Sequence, residues 1–272
     1  MQHSYPCPDL IVKPPHLHFN MRFRYGLYAL LFIGLISFMQ SCGHAEEEKK
    51  PVPEAREQPI PKPVKESVTT AEQQKALTPA IILQNLKDGN KRFTDNNITA
   101  RDHSKLVRDA VAGQYPKSVI LSCLDSRIPV EDVFDKGIGD MFVARVAGNV
   151  VNTDILGSME YACKVSGSKL IVIMGHSNCG AVKSAIDNVQ LGNITSMLAK
   201  IKPAVKQSQQ YTGEKTSKNI EYTDVVGNNN VLYAIEQVKK LSPVLNEMIQ
   251  KEQIKIVGAY YDMKTGKVTF TE

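Results

Sequence analysis

The sequence predicts an α/β protein: a mostly parallel central sheet with helices on both faces and an antiparallel strand at its C-terminal edge. Apolar strand candidates at residues 119–122, 140–146, 169–174 and 254–261 alternate with stretches of helical periodicity, the pattern of parallel strands joined by crossover helices. The last of them runs through Thr265-Gly266 into a further apolar segment, which reads as a hairpin closing one edge of the sheet. The span that carries this pattern is about 200 residues, a size that one hydrophobic core supports.

In chain order, the first element is a leader over residues 1–41. From Met21, a better start than Met1, Arg22 and Arg24 precede an apolar run over residues 25–39. That run is short for a bilayer span and fits a signal-peptide core, with a membrane-anchoring helix as the alternative. It ends in Met39-Gln40-Ser41-Cys42, which resembles a bacterial lipobox whose cysteine becomes the lipidated first residue. Residues 42–71 are rich in Pro, Glu and Lys without apolar periodicity, the composition of a solvated tether. A lipid on Cys42 followed by a spacer implies an exported protein, periplasmic or anchored beside a membrane.

The folded part is expected over residues 72–272. Thr78 is a good N-cap, Pro79 suits the first helical position, and Ile81, Ile82, Leu86 and Phe93 follow at roughly helical spacing. Further helices are expected over 104–113, 154–165, 179–189, 194–210, 228–241 and 243–250. A hydrophobic content of 42% with 22% charged residues is ordinary for a globular domain. Part of the +5 formal charge lies in the leader. No basic stripe with interleaved aromatics is present, which argues against a nucleic-acid partner.

In such folds functional groups gather where strands end and helices begin, and two strand ends here are chemically loaded. The first reads Ser122-Cys123-Leu124-Asp125-Ser126-Arg127, with a thiol, a carboxylate and a guanidinium at alternate positions. The second reads His176-Ser177-Asn178-Cys179-Gly180, where the strand-to-helix turn lets His176 and Cys179 reach one metal. Of five cysteines, Cys7 and Cys42 fall outside the folded part, leaving Cys123, Cys163 and Cys179. Two thiolates and one imidazole make a three-ligand set with the fourth position open, the arrangement of catalytic rather than structural zinc. A Cys123–Cys179 disulfide is the alternative in an oxidising compartment, although a disulfide needs neither the histidine nor the Asp-x-Arg pair. Cys163 reads as a small core residue and His103 as a surface residue near a helix start. Asp125 and Arg127, beside a metal ligand after a buried strand, read as a functional pair rather than a surface ion pair.

The stretch Cys123-Leu124-Asp125-Ser126-Arg127, followed later by His176-Ser177-Asn178-Cys179-Gly180-Ala181, resembles the β-class carbonic anhydrases, whose signature pairs Cys-x-Asp-x-Arg with His-x-x-Cys. The likeness extends over residues 78–270, through "GNKRF" in the first helix, "ARVAGNVV" after the second strand, and "GSMEYA". The resemblance implies zinc-dependent, reversible hydration of CO2 to bicarbonate, with one Zn2+ per chain on Cys123, His176 and Cys179. Asp125 and Arg127 would be the family's dyad: Asp125 steers the metal-bound hydroxide toward CO2 and Arg127 neutralises it. Released by Arg127, Asp125 would take the fourth zinc position and close the site. The resemblance also implies that Gln114 hydrogen-bonds bicarbonate, that Phe142 and Tyr161 line the pocket, and that the backbone at Gly180 approaches substrate. Ala147 stands where a larger aliphatic residue is common, so the CO2 pocket would be roomier. That departure keeps a related activity on carbonyl sulfide or carbon disulfide in view, and a non-catalytic zinc-stabilised module is the third alternative. The absence of Trp fits the open, unregulated subtype, and family members' assembly as dimers or on dimers implies a homodimer or a higher homo-oligomer built on dimers.

Overall fold

The structure, a computed structural model, describes residues 67–271; the leader, Cys42 and most of the tether lie outside the described residues. Its strands are Ser118–Ser122 (β1), Met141–Arg145 (β2), Leu170–His176 (β3), Lys255–Tyr261 (β4) and Val268–Thr271 (β5). They form one sheet in the order β2-β1-β3-β4-β5. The first four are parallel, and β5 runs antiparallel to β4 with Tyr261 opposite Val268. The helices are Ala71–Ala76 (α1), Pro79–Thr94 (α2), His103–Ala110 (α3), Val130–Val133 (α4), Thr153–Glu160 (α5), Gly180–Ile186 (α6), Gly192–Leu198 (α7), Lys202–Gln207 (α8), Ile220–Leu241 (α9) and Pro243–Gln250 (α10). Among the described residues, no helix is long and apolar enough to cross a membrane.

The alternation of side chains along a strand assigns each face of the sheet its own core. Ile120, Leu170, Val172, Met174 and Val257 pack against Ile82, Leu83 and Leu86 of α2 and against Val130, Val133 and Phe134. Val119, Leu121, Ile171 and Ile173 point the other way, to Leu156, Met159, Val231, Val238 and Leu245 of α5, α9 and α10. Every residue of β1 and β3 is buried, whereas β2, at the sheet edge, is half-buried along its length. Each fully buried Leu or Ile contributes about 1.5–3 kcal/mol, so the two central strands anchor the fold. Their rigidity carries to their C-terminal ends. Ser122 pairs with Met174, and β3 continues through Gly175 to His176. The residue that follows β1, Cys123, is therefore delivered beside the end of β3.

Most expected elements occur, and the differences have local causes. Thr78 accepts from the Ile81 amide at 3.3 Å with Pro79 in the first turn, as anticipated. The helix expected over 194–210 is broken into α7 and α8, because Pro203 sits in the first turn of α8 and a proline has no amide to continue a preceding helix. Conversely, α9 begins at Ile220, earlier than the expected 228, where Asn219 accepts from the amides of Glu221 and Tyr222. The residues that the expected helix left out include Thr223, Val225, Val226 and Gly227, all weak in helix propensity, which hid that continuity. The helix after Asn152 changes to a π turn over Tyr161–Val165. In the terminal hairpin Gly266 donates to the Asp262 carbonyl at 2.8 Å, with a positive φ of 73° that glycine adopts without strain.

Candidate metal centre and active site

Three elements each deliver one candidate ligand. Cys123 follows β1, His176 ends β3, and Cys179 is the N-cap of α6. Between the last two, Asn178 takes a left-handed φ of 57°, which folds the chain back over the strand end. The Ser177 amide donates to the Tyr261 carbonyl at 3.0 Å, and its Oγ accepts from the Met263 amide at 2.9 Å, so this turn is pinned to the end of β4. The three ligand atoms lie within 4.8 Å of one another, and the two sulfurs are 3.9 Å apart. Both thiols are free, so the alternative of a disulfide between them is not realised.

This donor set fits Zn2+. Two sulfurs each about 2.3 Å from a tetrahedral zinc would stand about 3.8 Å apart, close to the spacing found. His176 Nδ1 lies 3.0 Å from the Ser177 carbonyl oxygen; a carbonyl only accepts, so Nδ1 carries the proton and Nε2 carries the lone pair. Nε2 is buried without a hydrogen-bond partner, an arrangement that costs roughly 1–3 kcal/mol unless something takes that lone pair. Electrostatics agree. The Cys179 thiol, the His176 ring and the Gly148 amide, whose nitrogen is 3.3 Å from the Cys123 Sγ, together outweigh burial and hold Cys123 well below the usual thiol range. The same contact and burial push Cys179 up. The two sulfurs are close enough for an S–H···S contact, 3.9 Å apart.

Asp125 and Arg127 form a tight local pair. The Arg127 amide and Nε donate to Oδ1 at 3.1 and 2.9 Å, and Nη2 donates to Oδ2 at 2.7 Å. The hydrogen bond from Arg127 holds the carboxyl at about 2 despite partial burial. Oδ2 stands 4.0 Å from His176 Nε2, so the carboxylate borders the ligand set. The loop between ligand and dyad is fixed from outside. Arg145, opposite Ser122 in the sheet, donates from Nε to the Cys123 carbonyl at 3.1 Å and from Nη2 to the Asp125 carbonyl.

The carbonic anhydrase family model matches residues 118–268, a span that holds Cys123, Asp125, Arg127, His176 and Cys179. Carbonic anhydrase 2 of Mycobacterium tuberculosis is 32% identical over 193 residues, covering 69% of this chain and 90% of that protein. The carbonic anhydrase of Mycolicibacterium smegmatis is 32% identical over 189 residues, 67% of this chain and 88% of that one. A crystal structure of tetrameric β-carbonic anhydrases from Sordaria macrospora covers 70% of this chain and 94% of its own, with 26% identity and a TM-score of 0.54. The chain belongs to the carbonic anhydrase family, in its β class. A Coccomyxa β-carbonic anhydrase, at 22% identity and a TM-score of 0.55, shares the fold over 71% of this chain and 86% of its own.

Within this β-class chain the expected pocket residues divide into two groups. Ala147 and Gly180 lie at the metal ligands: Ala147 precedes the glycine that donates to Cys123, and Gly180 follows Cys179. A Cβ on Gly180 would meet nothing within 4 Å, so space is open there. Gln114, Phe142 and Tyr161 are elsewhere. Gln114 is exposed ahead of β1, and a five-residue strand at about 3.3 Å per residue separates it from Cys123. Phe142 and Tyr161 meet edge to face with ring centroids 6.4 Å apart. They line a cleft of about 620 Å³ along β2 and α5, whose other walls include Val119, Ala144 and Gly157 but none of the ligands. One chain alone therefore does not bring these three to the metal set. Cys163 is buried, its thiol pushed up to about 12 by desolvation, and His103 is exposed at the start of α3, both as expected. Sequence reasoning did not single out Arg145 or Gly148 as individual residues, although both lie in the quoted stretch "ARVAGNVV".

Proposed function

We propose that this carbonic anhydrase is a zinc enzyme that reversibly hydrates CO2 to bicarbonate and a proton. The observation that carries the proposal is the buried trio Cys123, His176 and Cys179, with an unpaired imidazole nitrogen facing two free sulfurs. When bound there, Zn2+ supplies a Lewis acid that brings the pKa of a water from ~16 toward ~7. Cys123 and Cys179 would hold the ion as thiolates that balance its charge, and His176 would hold it through Nε2. Asp125, kept ionised by Arg127, can only accept hydrogen bonds; at the edge of the ligand set it accepts one from the attacking oxygen and turns that oxygen's lone pair toward CO2. Arg145 and the Asp125–Arg127 bonds keep this acceptor in place, and the space at Gly180 admits the substrate. Released by Arg127, the Asp125 carboxylate, 4.0 Å from His176 Nε2, would join the ligand set and close the site.

A homodimer belongs to this proposal. Tyr161, in the cleft beside the open edge strand β2, is 50% exposed, and unpaired edges of that kind invite a partner. A second copy over that cleft would carry its Gln114, Phe142 and Tyr161 to a metal site that lacks them within one chain. The Met39-Gln40-Ser41-Cys42 stretch supports export and a lipid at Cys42. Stopped-flow CO2 hydration on the purified protein, with zinc measured on the same sample, is the test. Turnover that tracks zinc supports the proposal; a zinc-loaded protein with no CO2 hydration contradicts it, and hydrolysis of carbonyl sulfide by that protein would favour the alternative suggested by Ala147.

A further inference from the structure

We infer that Asn230, on a helix that supplies no ligand, is a positioning residue that sets the hydrogen bond received by the Cys123 sulfur. This rests on the proposal that Cys123, His176 and Cys179 bind a metal. Asn230 lies in the middle of α9 and is 2% exposed. A carboxamide there weakens the helix and loses hydration, so its burial needs a partner. It has one: Nδ2 donates to the Gly148 carbonyl oxygen at 2.8 Å. The amide of that same Gly148 donates to Cys123 Sγ at 3.3 Å. A single residue is therefore gripped by its carbonyl and aims its N–H at a metal ligand.

The turn needs that grip. Gly148 and Asn149 have successive left-handed φ values of 70° and 42°, and a non-glycine residue occupies that region only at some strain. Two neighbours limit its movement on the other sides: a Cβ on Gly148 would fall 2.6 Å from Ile201 Cδ1 and 3.1 Å from Ala181 Cβ. Asn230 is the polar anchor from α9. The Gly148 carbonyl belongs to the 148–149 peptide, which the Asn149 amide also ties to the Val146 carbonyl at 2.9 Å. Without Asn230 that peptide keeps only this one bond, and the flexible Gly148 lets the preceding N–H drift from the sulfur. Hydrogen bonds to a ligating thiolate withdraw electron density from it, and such outer partners tune the metal. Losing this one makes Cys123 a stronger donor and the metal a weaker Lewis acid.

The test uses the full-length protein loaded with cobalt(II), whose sulfur-to-cobalt charge-transfer band reports thiolate donation. Asn230→Leu removes the donor at similar volume, and Asn230→Asp removes it while keeping the shape. Asn228→Leu, on the exposed face of the same helix, is the control. The expected result is a shift of the band to lower energy in both Asn230 variants, none in the control, and CO2 hydration lowered by about 10-fold with cobalt content unchanged. Unshifted bands in the Asn230 variants, with only a lower melting temperature, would overturn the inference and leave a purely structural role. An unaltered protein that takes up no cobalt would instead remove the metal proposal, and this inference with it.

Discussion

Asp125 and Asp135 are both aspartates held at about 2 by neighbouring groups, in surroundings that differ. Asp135 is wholly buried. Burial opposes its charge, but donors from three residues prevail: the Thr99 amide and hydroxyl at 3.0 and 2.7 Å, Arg92 Nε at 2.5 Å and Arg101 Nη1 at 2.8 Å. Those donors come from α2 and the loop after it, so the carboxylate ties distant chain to the core. The side-chain partners of Asp125 all come from Arg127, two residues on, which is itself half exposed. Its Oδ2 also looks toward His176. A depressed pKa therefore does not by itself mark a functional carboxylate. What separates the two is whether the partners saturate both oxygens from afar or leave the group beside the chemistry on a local hinge.

The largest effect should come from Asp125→Asn. CO2 hydration should fall by about 100-fold or more, in the range for loss of a positioned proton acceptor. Zinc content and the unfolding midpoint should stay near those of the unaltered protein. Unchanged turnover would erase the distinction between the two aspartates.

Asp135→Asn should do the reverse. Turnover per folded molecule is preserved, while urea unfolding shows a loss of about 3 kcal/mol, the low end for breaking a buried charge pair. Near-normal stability would mean that Arg92, Arg101 and Thr99 re-pair without it.

The smallest and most discriminating effect is in acid. Both folded values lie below the ordinary carboxylate value of 3.8, so the stabilisation is present above that value and fades as pH falls toward about 2. Because Asp135 is buried and Asp125 is paired with an exposed arginine, Asp135→Asn should flatten the acid limb of a stability–pH curve more than Asp125→Asn. Equal flattening in both variants would show the two pairs to be equivalent.

The legible parts of this molecule are those in which short-range sequence carries the chemistry. The four parallel strands, the Thr78 cap, the terminal hairpin and the spacing of Cys123, His176 and Cys179 are local patterns, and the fold reproduces them. Where long-range packing decides, the pattern was silent. The Asp135 cluster joins residues far apart in the chain, and no periodicity announces it. Asn230 looked like one of three weak helix formers until its amide met Gly148. The early start of α9 at Ile220 and the break at Pro203 escape local pattern because Val225, Val226 and Gly227 are weak helix formers that packing overrides, and a proline in a first helical turn leaves the apolar spacing unchanged. Gln114, Phe142 and Tyr161 lie away from the Cys123, His176 and Cys179 cluster in a single chain, and no local pattern gives that long-range separation.

The most direct test is to remove and restore metal while following CO2 hydration by stopped flow, in the unaltered protein and in Cys179→Ser. The unaltered protein should bind one zinc per chain, lose turnover when a chelator removes it, and regain turnover when zinc is returned. Cys179→Ser should bind little zinc and show no recovery. Full turnover after complete zinc removal, or full zinc occupancy in Cys179→Ser, would contradict a site built on Cys123, His176 and Cys179.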